Sequence, residues 1–389
     1  MKRNALTLLT ATLLLGTFVA PLVACQSGGN ISEQSINESS ALIEVNSKSI
    51  TLKEGETFQI EATHKNNLEI SFESDDEEIV SVSSTGLLLG NNVGKTNVFV
   101  FSDDSTVLCK IEVIAATTRL VDGKESKLVW SDEFNGNKID SSIWGYQLGV
   151  HDDYYDDHGV DYWGNNEKQA YTNKNAEVKD GNLIITAKRE DTTVNRTNGE
   201  EVTMAFSSTR MLTREKKTFK YGYIESKFKT PCIDGLWPAF WMMPEPGDKS
   251  HTSNEYGGWC ASGEIDIYEA RGSRPSEVVM TLHYGSGSSH KMSGNSMNFV
   301  ESTCDKWHTY AINWREDFME WYIDGTMYHR VTSNEWYSDN AKDNPRAPFD
   351  KEFYVLFNLA VGGNFDGNKM PPNDFKEASM IIDYLRVYE

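Results

Sequence analysis

The chain has 389 residues, 39% of them hydrophobic and 11% aromatic, which is enough for two or three packed domains. Its formal net charge of -21 argues against nucleic acid and anionic membrane surfaces as partners, because both repel an acidic protein. A neutral polymer is therefore a better candidate ligand than a strongly anionic one. The many aromatic residues, recurrent glycine and few prolines favour an all-β protein, a sugar-binding surface, or both.

The first residues are typical of an exported protein. A basic start, Met1-Lys2-Arg3, precedes an apolar run from Ala5 to Ala24, as in a secretory signal. The run ends in Leu22-Val23-Ala24-Cys25, which resembles the bacterial lipoprotein box, in which the cysteine is lipidated. We therefore predict a signal peptide over residues 1–24, a lipid on Cys25 and an extracytoplasmic protein at the cell surface or on a membrane. An uncleaved membrane helix is the alternative.

Residues 25–40 are rich in serine, glycine and asparagine without apolar periodicity, which indicates a flexible tether. The only expected contact with a membrane is then the lipid anchor. Beyond the tether lie four cysteines, Cys109, Cys232, Cys260 and Cys304, which show neither a CxxC pair nor metal-site spacing. Export would permit a disulfide, but spacing cannot pair them, and we expect most to be free.

Residues 41–115 contain short alternating runs separated by turn residues, which is typical of a small β-sandwich. The predicted strands are Ser49–Leu52, Thr57–Ala62, Glu69–Glu73, Val80–Ser83, Leu87–Leu89, Thr96–Phe101 and Val107–Val113. This segment resembles the bacterial Ig-like (group 2) domain in the order of its turns, from Gly55 to Gly86 and Gly94. Residues 116–127 are expected to form a linker.

The stretch Gly263-Glu264-Ile265-Asp266-Ile267-Tyr268-Glu269 alternates carboxylates with apolar residues, which predicts a strand with one acidic and one buried face. Glu264 and Asp266 share a face, whereas Glu269 should point the opposite way. One extra residue, a β-bulge near Tyr268, would return Glu269 to the acidic face. The alternative is an ordinary half-buried strand with one wet face.

The region 128–389 contains many short strands and no convincing helical periodicity, so it is expected to form an all-β sandwich. The predicted strands include Asn182–Arg189, Tyr221–Thr230, Val279–Gly285, His308–Trp314, Met319–Ile323, Thr326–Val331, Tyr354–Leu359 and Met380–Tyr388.

This region resembles glycoside hydrolase family 16, the laminarinase-type β-glucanases. The matching stretches, in the family's order, are Ser131–Asn135, Trp163–Thr172, Gly235–Pro244, Gly263–Glu269, Thr281–Gly285 and Asp383–Tyr388. The resemblance implies a concanavalin A-like β-jelly-roll whose acidic strand lines a concave cleft. It also implies roles: Glu264 as nucleophile, Asp266 as its electrostatic partner and Glu269 as acid/base.

The spacing within the motif narrows the resemblance. Two residues, Ile267 and Tyr268, separate Asp266 from the second glutamate, as in laminarinases and agarases, whereas lichenases and xyloglucan transferases have one. We therefore predict an endo-1,3-β-glucanase acting on a neutral, laminarin-like β-glucan. An agarase, a mixed-linkage glucanase or a transglycosylase is the alternative within this fold. A non-catalytic glucan-binding protein is less consistent with the presence of all three acids.

A retaining mechanism follows from two carboxyl groups roughly 5 to 5.5 Å apart, one attacking and one protonating the leaving oxygen. Neighbouring negative charge should raise the pKa of Glu269 and keep it protonated at rest. Further substrate-binding candidates are three tryptophans that could stack on sugar rings, although one of them is expected to lie in the core. Two polar residues match a family position facing the cleft. A histidine at a strand end could hydrogen-bond near the scissile bond, with a purely structural role as the alternative. These candidates are Trp237, Trp241, Trp259, Asn166, Glu167 and His283.

The resemblance also implies a structural calcium ion on the convex face, because hard cations take oxygen ligands. By motif its ligands would be Glu133, a carbonyl of Gly181 and Asp383. No cofactor is expected for catalysis, and the protein is expected to be a monomer.

Overall fold

The computed structural model describes residues 42–121, 123–150, 165–196, 199–246, 254–286 and 288–389. The signal peptide, Cys25 and the tether lie outside these residues. Within them, no helix is of a length and apolarity that would let it traverse a bilayer. The chain divides into two compact units, one extending to Val113 and one from Ile114 to Glu389, with Lys53–Gly55 grouped with the second.

The smaller unit is a β-sandwich, as predicted. Its strands are β1 (Ile43–Val45), β2 (Ser49–Lys53), β3 (Thr57–Gln59), β4 (Ala62–His64), β5 (Ser71–Ser74), β6 (Val80–Val82), β7 (Leu87–Gly90), β8 (Gly94–Phe101) and β9 (Thr106–Ile114). The order β2-β9-β8-β5 forms one sheet and β3-β7-β6 another, while β1 pairs with β4. Alternate residues such as Val98, Val100 and Ile111 point inward and form a separate core.

The predicted linker is wrong over most of its length. Residues 118–121 form β10 (Thr118–Val121), which pairs with β11 (Lys124–Asp132). The hairpin then joins the larger unit, because β11 pairs with the last strand of the chain. Val121 explains the difference, since it is buried against Tyr223 and Tyr388 and so gives the segment a place in the core.

The larger unit consists of two mainly antiparallel sheets packed face to face, together with a separate two-stranded sheet formed by Thr192–Asn195 and Glu201–Met204. Its remaining strands are β12 (Gly145–Gln147), β13 (Ala170–Tyr171), β14 (Ala176–Lys179), β15 (Asn182–Lys188), β16 (Thr192–Asn195), β17 (Glu201–Met204), β18 (Ser207–Ser208), β19 (Arg210–Leu212), β20 (Thr218–Phe219), β21 (Gly222–Lys229), β22 (Leu236–Pro244), β23 (Glu264–Glu269), β24 (Glu277–Ser286), β25 (Ser289–Asn298), β26 (His308–Trp314), β27 (Phe318–Ile323), β28 (Thr326–Thr332), β29 (Phe353–Val361) and β30 (Glu377–Tyr388). A short 3₁₀ helix covers Asn364–Asp366. The alternation-based strand predictions are confirmed to within a few residues.

One sheet follows the order β12-β19-β29-β22-β23-β24-β25, and we call it the cleft sheet. The other has the path β13-β18-β15-β30-β21-β26-β27-β28, and we call it the outer sheet. Their facing sides share one apolar core, in which Phe228 of the outer sheet meets Phe240 and Phe357 of the cleft sheet edge-on. The fold is thus the predicted all-β jelly-roll.

The cysteines depart from expectation. Cys232 and Cys304 form a disulfide with a Cα–Cα distance of 5.5 Å, whereas Cys109 and Cys260 are free and buried. The expectation that most are free is therefore wrong. The pair is separated by 72 residues, and only the fold brings the segments before β22 and β26 together.

Candidate active site

The acidic stretch forms β23, in the interior of the cleft sheet between β22 and β24. Opposite β22, Trp241 pairs with Asp266 and Phe240 with Tyr268, so Ile267 is an extra residue. This is the predicted β-bulge, one position from Tyr268. Because of it, Ile265 and Tyr268 both enter the core, and Glu264, Asp266 and Glu269 share the opposite, cleft-facing side.

Two local features fix the bulged strand. Gly263 precedes it with φ +88°, and a Cβ there would lie 2.9 Å from the Phe349 ring, so both backbone and space require glycine. At the bulge itself, the carbonyl of Asp266 accepts a hydrogen bond from Trp321 Nε1 of the outer sheet at 2.9 Å. A buried carbonyl displaced from the ladder is thereby satisfied.

Glu264 lies at the start of the strand, beside a half-exposed tryptophan. Trp259 Nε1 donates a hydrogen bond to Glu264 Oε2 at 2.8 Å, and His283 Nε2 is 3.7 Å from Oε1. Burial, together with the Asp266 carboxylate, raises the pKa of Glu264 to about 7, although His283 acts in the opposite direction.

Glu269 lies at the other end of the strand and has a different donor. Trp237 Nε1 donates to Glu269 Oε1 at 3.0 Å. Burial and the nearby Asp266 carboxylate raise the pKa of Glu269 well above its ordinary value. Both glutamates therefore hold a proton more tightly than a free carboxyl group does. A raised pKa suits Glu269 to act as a general acid.

Asp266 and His283 occupy the space between the glutamates. His283 Nε2 lies 3.1 Å from Asp266 Oδ2. Burial alone would lower the pKa of His283, but Asp266, Glu264 and Glu269 together raise it to about 9. His283 is thus an imidazolium at neutral pH and offsets part of the negative charge. His283, predicted as a cleft residue from its place at a strand end, therefore does lie beside the acids.

The predicted tryptophans have different surroundings. Trp259 is 39% exposed and offers an open ring in the cleft. Trp237 is buried, and its ring stacks on Phe365 with centroids 4.7 Å apart, so its visible contact is with Glu269. Trp241 donates to Asn358 Oδ1 at 2.7 Å, and the Arg210 guanidinium lies over its ring at 4.6 Å. Trp259 is therefore the most open of the predicted stacking platforms.

Asn166 and Glu167 have hydrogen-bond partners other than the three acids. Asn166 is exposed and donates to Asn368 Oδ1 at 2.7 Å. Glu167 is buried and accepts hydrogen bonds from Gln169 and Tyr171, at 2.7 and 2.9 Å. Burial raises the pKa of Glu167 to about 7.

A hydrogen-bond path links this buried carboxyl to Trp241. Asn358 Nδ2 donates to the Tyr171 hydroxyl at 3.3 Å, and Asn358 Oδ1 accepts from Trp241. The path connects Glu167 with the cleft floor, where Trp241 stands opposite Asp266.

Several residues that contact the site were not predicted from the sequence. Phe365 supports Trp237, Asn358 and Arg210 surround Trp241, and His290 Nε2 lies 2.7 Å from His283 Nδ1. The only sequence signal for His290 was its position in the strand that returns after His283.

Two of the three predicted calcium ligands, Glu133 and Asp383, already have cationic partners. Both oxygens of Glu133 accept from Arg386, at 2.9 and 2.7 Å, and Asp383 Oδ2 is 3.4 Å from Lys227 Nζ. The donor set does not fit a calcium ion in this arrangement, because cationic side chains occupy the carboxylates. Calcium there stays a prediction. Among the described residues, the group of acids and histidines whose side-chain atoms lie close enough to hold a metal ion is Glu264, Asp266 and His283, within the cleft.

The sequence is similar to those of several known glucanases. It is 41% identical over 269 residues to glucan endo-1,3-beta-glucosidase A1 of Niallia circulans, covering 67% of this chain and 38% of that protein. It is 37% identical over 247 residues to a glucan endo-1,3-beta-glucosidase of Cryptopygus antarcticus, covering 62% of this chain and 83% of that protein. The solved endo-beta-1,3-glucanase of Pyrococcus furiosus superposes with a TM-score of 0.58 and 32% identity, covering 70% and 98%.

Two sequence families match directly. Residues 41–111 match the bacterial Ig-like domain (group 2), which accounts for the smaller unit. Residues 164–369 match Glycosyl hydrolases family 16 and include β23 and every cleft residue described above. The chain therefore belongs to glycosyl hydrolases family 16 and carries a bacterial Ig-like domain ahead of its catalytic domain.

Proposed function

We propose that the protein is a retaining endo-β-glucanase that hydrolyses β-1,3-glucosidic bonds in laminarin-like polysaccharides. The observation that carries this proposal is the bulged strand, which presents Glu264, Asp266 and Glu269 on one side of the cleft sheet. The relatives named as endo-1,3-glucanases support the linkage. This chain spans only part of the Niallia protein, so the activity is proposed for the chain itself.

The proposed reaction has two displacements. Glu269, protonated at rest, donates its proton to the glycosidic oxygen while the Glu264 carboxylate attacks the anomeric carbon from the opposite face. The bond to the leaving sugar breaks as the bond to Glu264 forms. Water, deprotonated by Glu269, then releases the second sugar with its original configuration.

The surrounding groups assist at stated atoms. Trp259 Nε1 orients Glu264 Oε2, and Trp237 Nε1 orients Glu269 Oε1, each through one hydrogen bond. Asp266 lies between the two glutamates and adds negative charge there. His283, beside Asp266 Oδ2, offsets part of that charge. Once Glu264 is esterified it no longer carries a negative charge, so the pKa of Glu269 falls and its carboxylate can act as the base of the second step.

The test is product analysis on laminarin, lichenan, agarose and carrageenan. We expect oligosaccharides of several lengths from laminarin, and proton NMR should detect the β-anomer before mutarotation. Initial appearance of the α-anomer would indicate inversion and overturn Glu264 as nucleophile. Faster cleavage of agarose or carrageenan than of laminarin would overturn the assignment of a β-1,3-glucan as the substrate.

We further propose that the protein is exported and anchored by a lipid on Cys25, on the strength of the lipoprotein box at Leu22–Cys25. A single lipid would be the apolar anchor after signal cleavage. Cys25→Ser should release the protein from the membrane fraction or block its processing. Unchanged fractionation together with unchanged mature mass would contradict the anchor.

A further inference from the structure

His283 and His290 form a close imidazole pair at the edge of the acid cluster. His290 Nε2 lies 2.7 Å from His283 Nδ1, and the rings stack with centroids 5.0 Å apart. The two histidines stand on β24 and β25, on either side of the hairpin turn. The ring of Trp259 lies beside both histidines, with its centroid 4.8 Å from that of His290 and 5.8 Å from that of His283.

The short distance between His290 Nε2 and His283 Nδ1 limits where the ring hydrogens can be. Two ring nitrogens 2.7 Å apart share one hydrogen, so one of them donates and the other accepts. The opposite nitrogen of His283, Nε2, faces Asp266 Oδ2 at 3.1 Å and Glu264 Oε1 at 3.7 Å. A carboxylate favours N–H at that position, and three carboxyl groups favour a doubly protonated ring.

The donor is therefore Nδ1 of His283, and the acceptor is the lone pair of His290 Nε2. His290 is then neutral, with its own hydrogen on Nδ1. Its neighbourhood agrees with this assignment, because its burial and the positive charge of His283 lower the pKa of His290. The titratable groups around the pair are Glu264, Asp266 and Glu269 from β23.

We propose that His290 is a positioning residue for the acid cluster: its Nε2 accepts the Nδ1–H of His283 and holds that imidazolium against Asp266 and Glu264. The inference rests on the proposed hydrolase function. Partners of this kind, which fix a ring's tautomer and orientation from behind, commonly support functional histidines. Because His290 also packs on Trp259, it contacts the supports of two acids at once.

Two substitutions separate hydrogen bonding from ring packing. His290→Phe keeps a flat ring against Trp259 but removes the acceptor, whereas His290→Gln restores a carbonyl acceptor and removes the ring. Lys291→Ala is the matched control, because it is exposed on the same strand and points to the other side. We expect kcat on laminarin to fall roughly tenfold or more in His290→Phe, with little change in KM, since a hydrogen bond to a charged group is lost.

The pH profile gives the more specific result. Without its acceptor, the His283 imidazolium should lose its proton at lower pH and offset less of the negative charge around Glu269. The pKa of that acid should then rise, so the alkaline limb of kcat/KM should shift upward in His290→Phe. His290→Gln should return kcat to within about threefold of wild type and restore the limb. Equal losses in both variants with an unmoved limb would assign His290 a merely structural role. A rise in KM alone would make it a substrate contact, and either result overturns the proposal.

Nitrogen-15 NMR of histidine-labelled protein tests the proton arrangement without any substrate. Near neutral pH we expect both nitrogens of His283 to be protonated and Nε2 of His290 to be bare. A neutral His283 whose Nδ1 accepts from His290 would overturn the assignment. If no glucan is cleaved, the proposed function fails while this measurement still decides the hydrogen bond.

Discussion

The two sheets of the larger unit both bury glutamates, but they surround them differently. In the outer sheet, Glu225 accepts from Arg119 Nη1 at 2.7 Å and from the Tyr384 hydroxyl at 3.0 Å. Glu320 accepts from Arg330 Nη1 at 2.6 Å and from Asn313 Nδ2 at 3.0 Å. Each buried charge has a cation and neutral donors, as a structural ion pair requires.

In the cleft sheet the acids face a histidine and two indoles instead. Glu264 and Asp266 have His283 as their ionic partner, and Glu264 and Glu269 each accept from the N–H group of a tryptophan. Indole donors fix a carboxyl group without neutralising it. Burial and the nearby Asp266 carboxylate then raise the pKa of both glutamates.

The comparison shows that burial of an acid does not by itself identify a reacting group. Glu225 is fully buried, and burial raises its pKa, yet Arg119 acts against that shift and satisfies the charge. Glu264 is partly exposed to the cleft, with 16% of its side chain accessible, and its neighbours include another carboxylate. An arginine partner indicates a structural acid, whereas an acid neighbour in a cleft indicates a reacting one.

The largest expected effect comes from the nucleophile. Glu264→Ser should lower hydrolysis of laminarin by at least about 10⁴-fold, because the attacking oxygen is removed, while the fold and sugar binding persist. Initial rates, circular dichroism and binding of a laminarin oligosaccharide measure the three properties. Glu225→Gln is the comparison from the outer sheet and should retain activity. Comparable activity loss in both variants would break the distinction between the sheets.

The acid/base should give a smaller and substrate-dependent effect. Glu269→Ala should slow cleavage of laminarin by about 10²- to 10⁴-fold, whereas an aryl glucoside with a good leaving group should keep its first step. Added azide should enter the vacated space and release a β-glycosyl azide, because two inversions restore the configuration. Formation of the α-azide, or uniform slowing of both substrates, would refute the role.

Much of the site was predictable because it depends on short-range pattern. Alternation gave the face of each residue in β23, and the parity mismatch between Glu264 and Glu269 required one extra residue, which is Ile267. The Ig-like sandwich followed from turn spacing in the same way. These predictions depend only on residues that are close in sequence, because the side chains of a strand alternate between its two faces in any fold.

The rest depended on contacts between distant segments. The disulfide, the Arg119–Glu225 ion pair and the stacking of Phe365 on Trp237 join residues 72, 106 and 128 positions apart. Alternation assigns a face but not the strand that passes beside it. For the same reason, the sequence of the predicted linker did not indicate that Val121 would be buried beside Tyr223.

The ion pair of the outer sheet gives a prediction of intermediate size. Arg119→Ala should lower the free energy of unfolding by about 2 to 3 kcal/mol, because Glu225 would stay buried without its cation, with some relief from the partial exposure of Arg119. Chemical denaturation measures this, and activity of the folded variant should stay within about twofold. Lys124→Ala, exposed in the same hairpin, is the control.

The same reasoning applies to a shortened chain. A truncated protein that starts at residue 128 loses β10 and with it Arg119 and Val121, so it should be less stable than one starting at residue 114. Equal stability of the two would mean that the hairpin does not contribute to the larger unit.

An effect of comparable size but opposite sign concerns stability against pH. The folded pKa of Glu264 is raised to about 7, above its value in the unfolded chain, so the unfolded state binds fewer protons between about pH 4.5 and 7. Stability should therefore fall as pH rises through that window. Glu264→Gln removes the ionisation and should be more stable than wild type at pH 8 by up to about 3 kcal/mol, with the difference shrinking toward pH 5.

Glu320→Gln should have the opposite sign, because it leaves Arg330 without its carboxylate and weakens the bonds from Asn313 and Tyr322. Thermal melts of both variants from pH 5 to 8 make the comparison, with activity recorded in parallel. In the cleft sheet the Glu264 charge serves the reaction at a cost in stability, so Glu264→Gln should be inactive and more stable. The outer-sheet variant should stay active and become less stable. A destabilised Glu264→Gln at pH 8 would mean that its indole and imidazole partners outweigh the repulsion among the three acids.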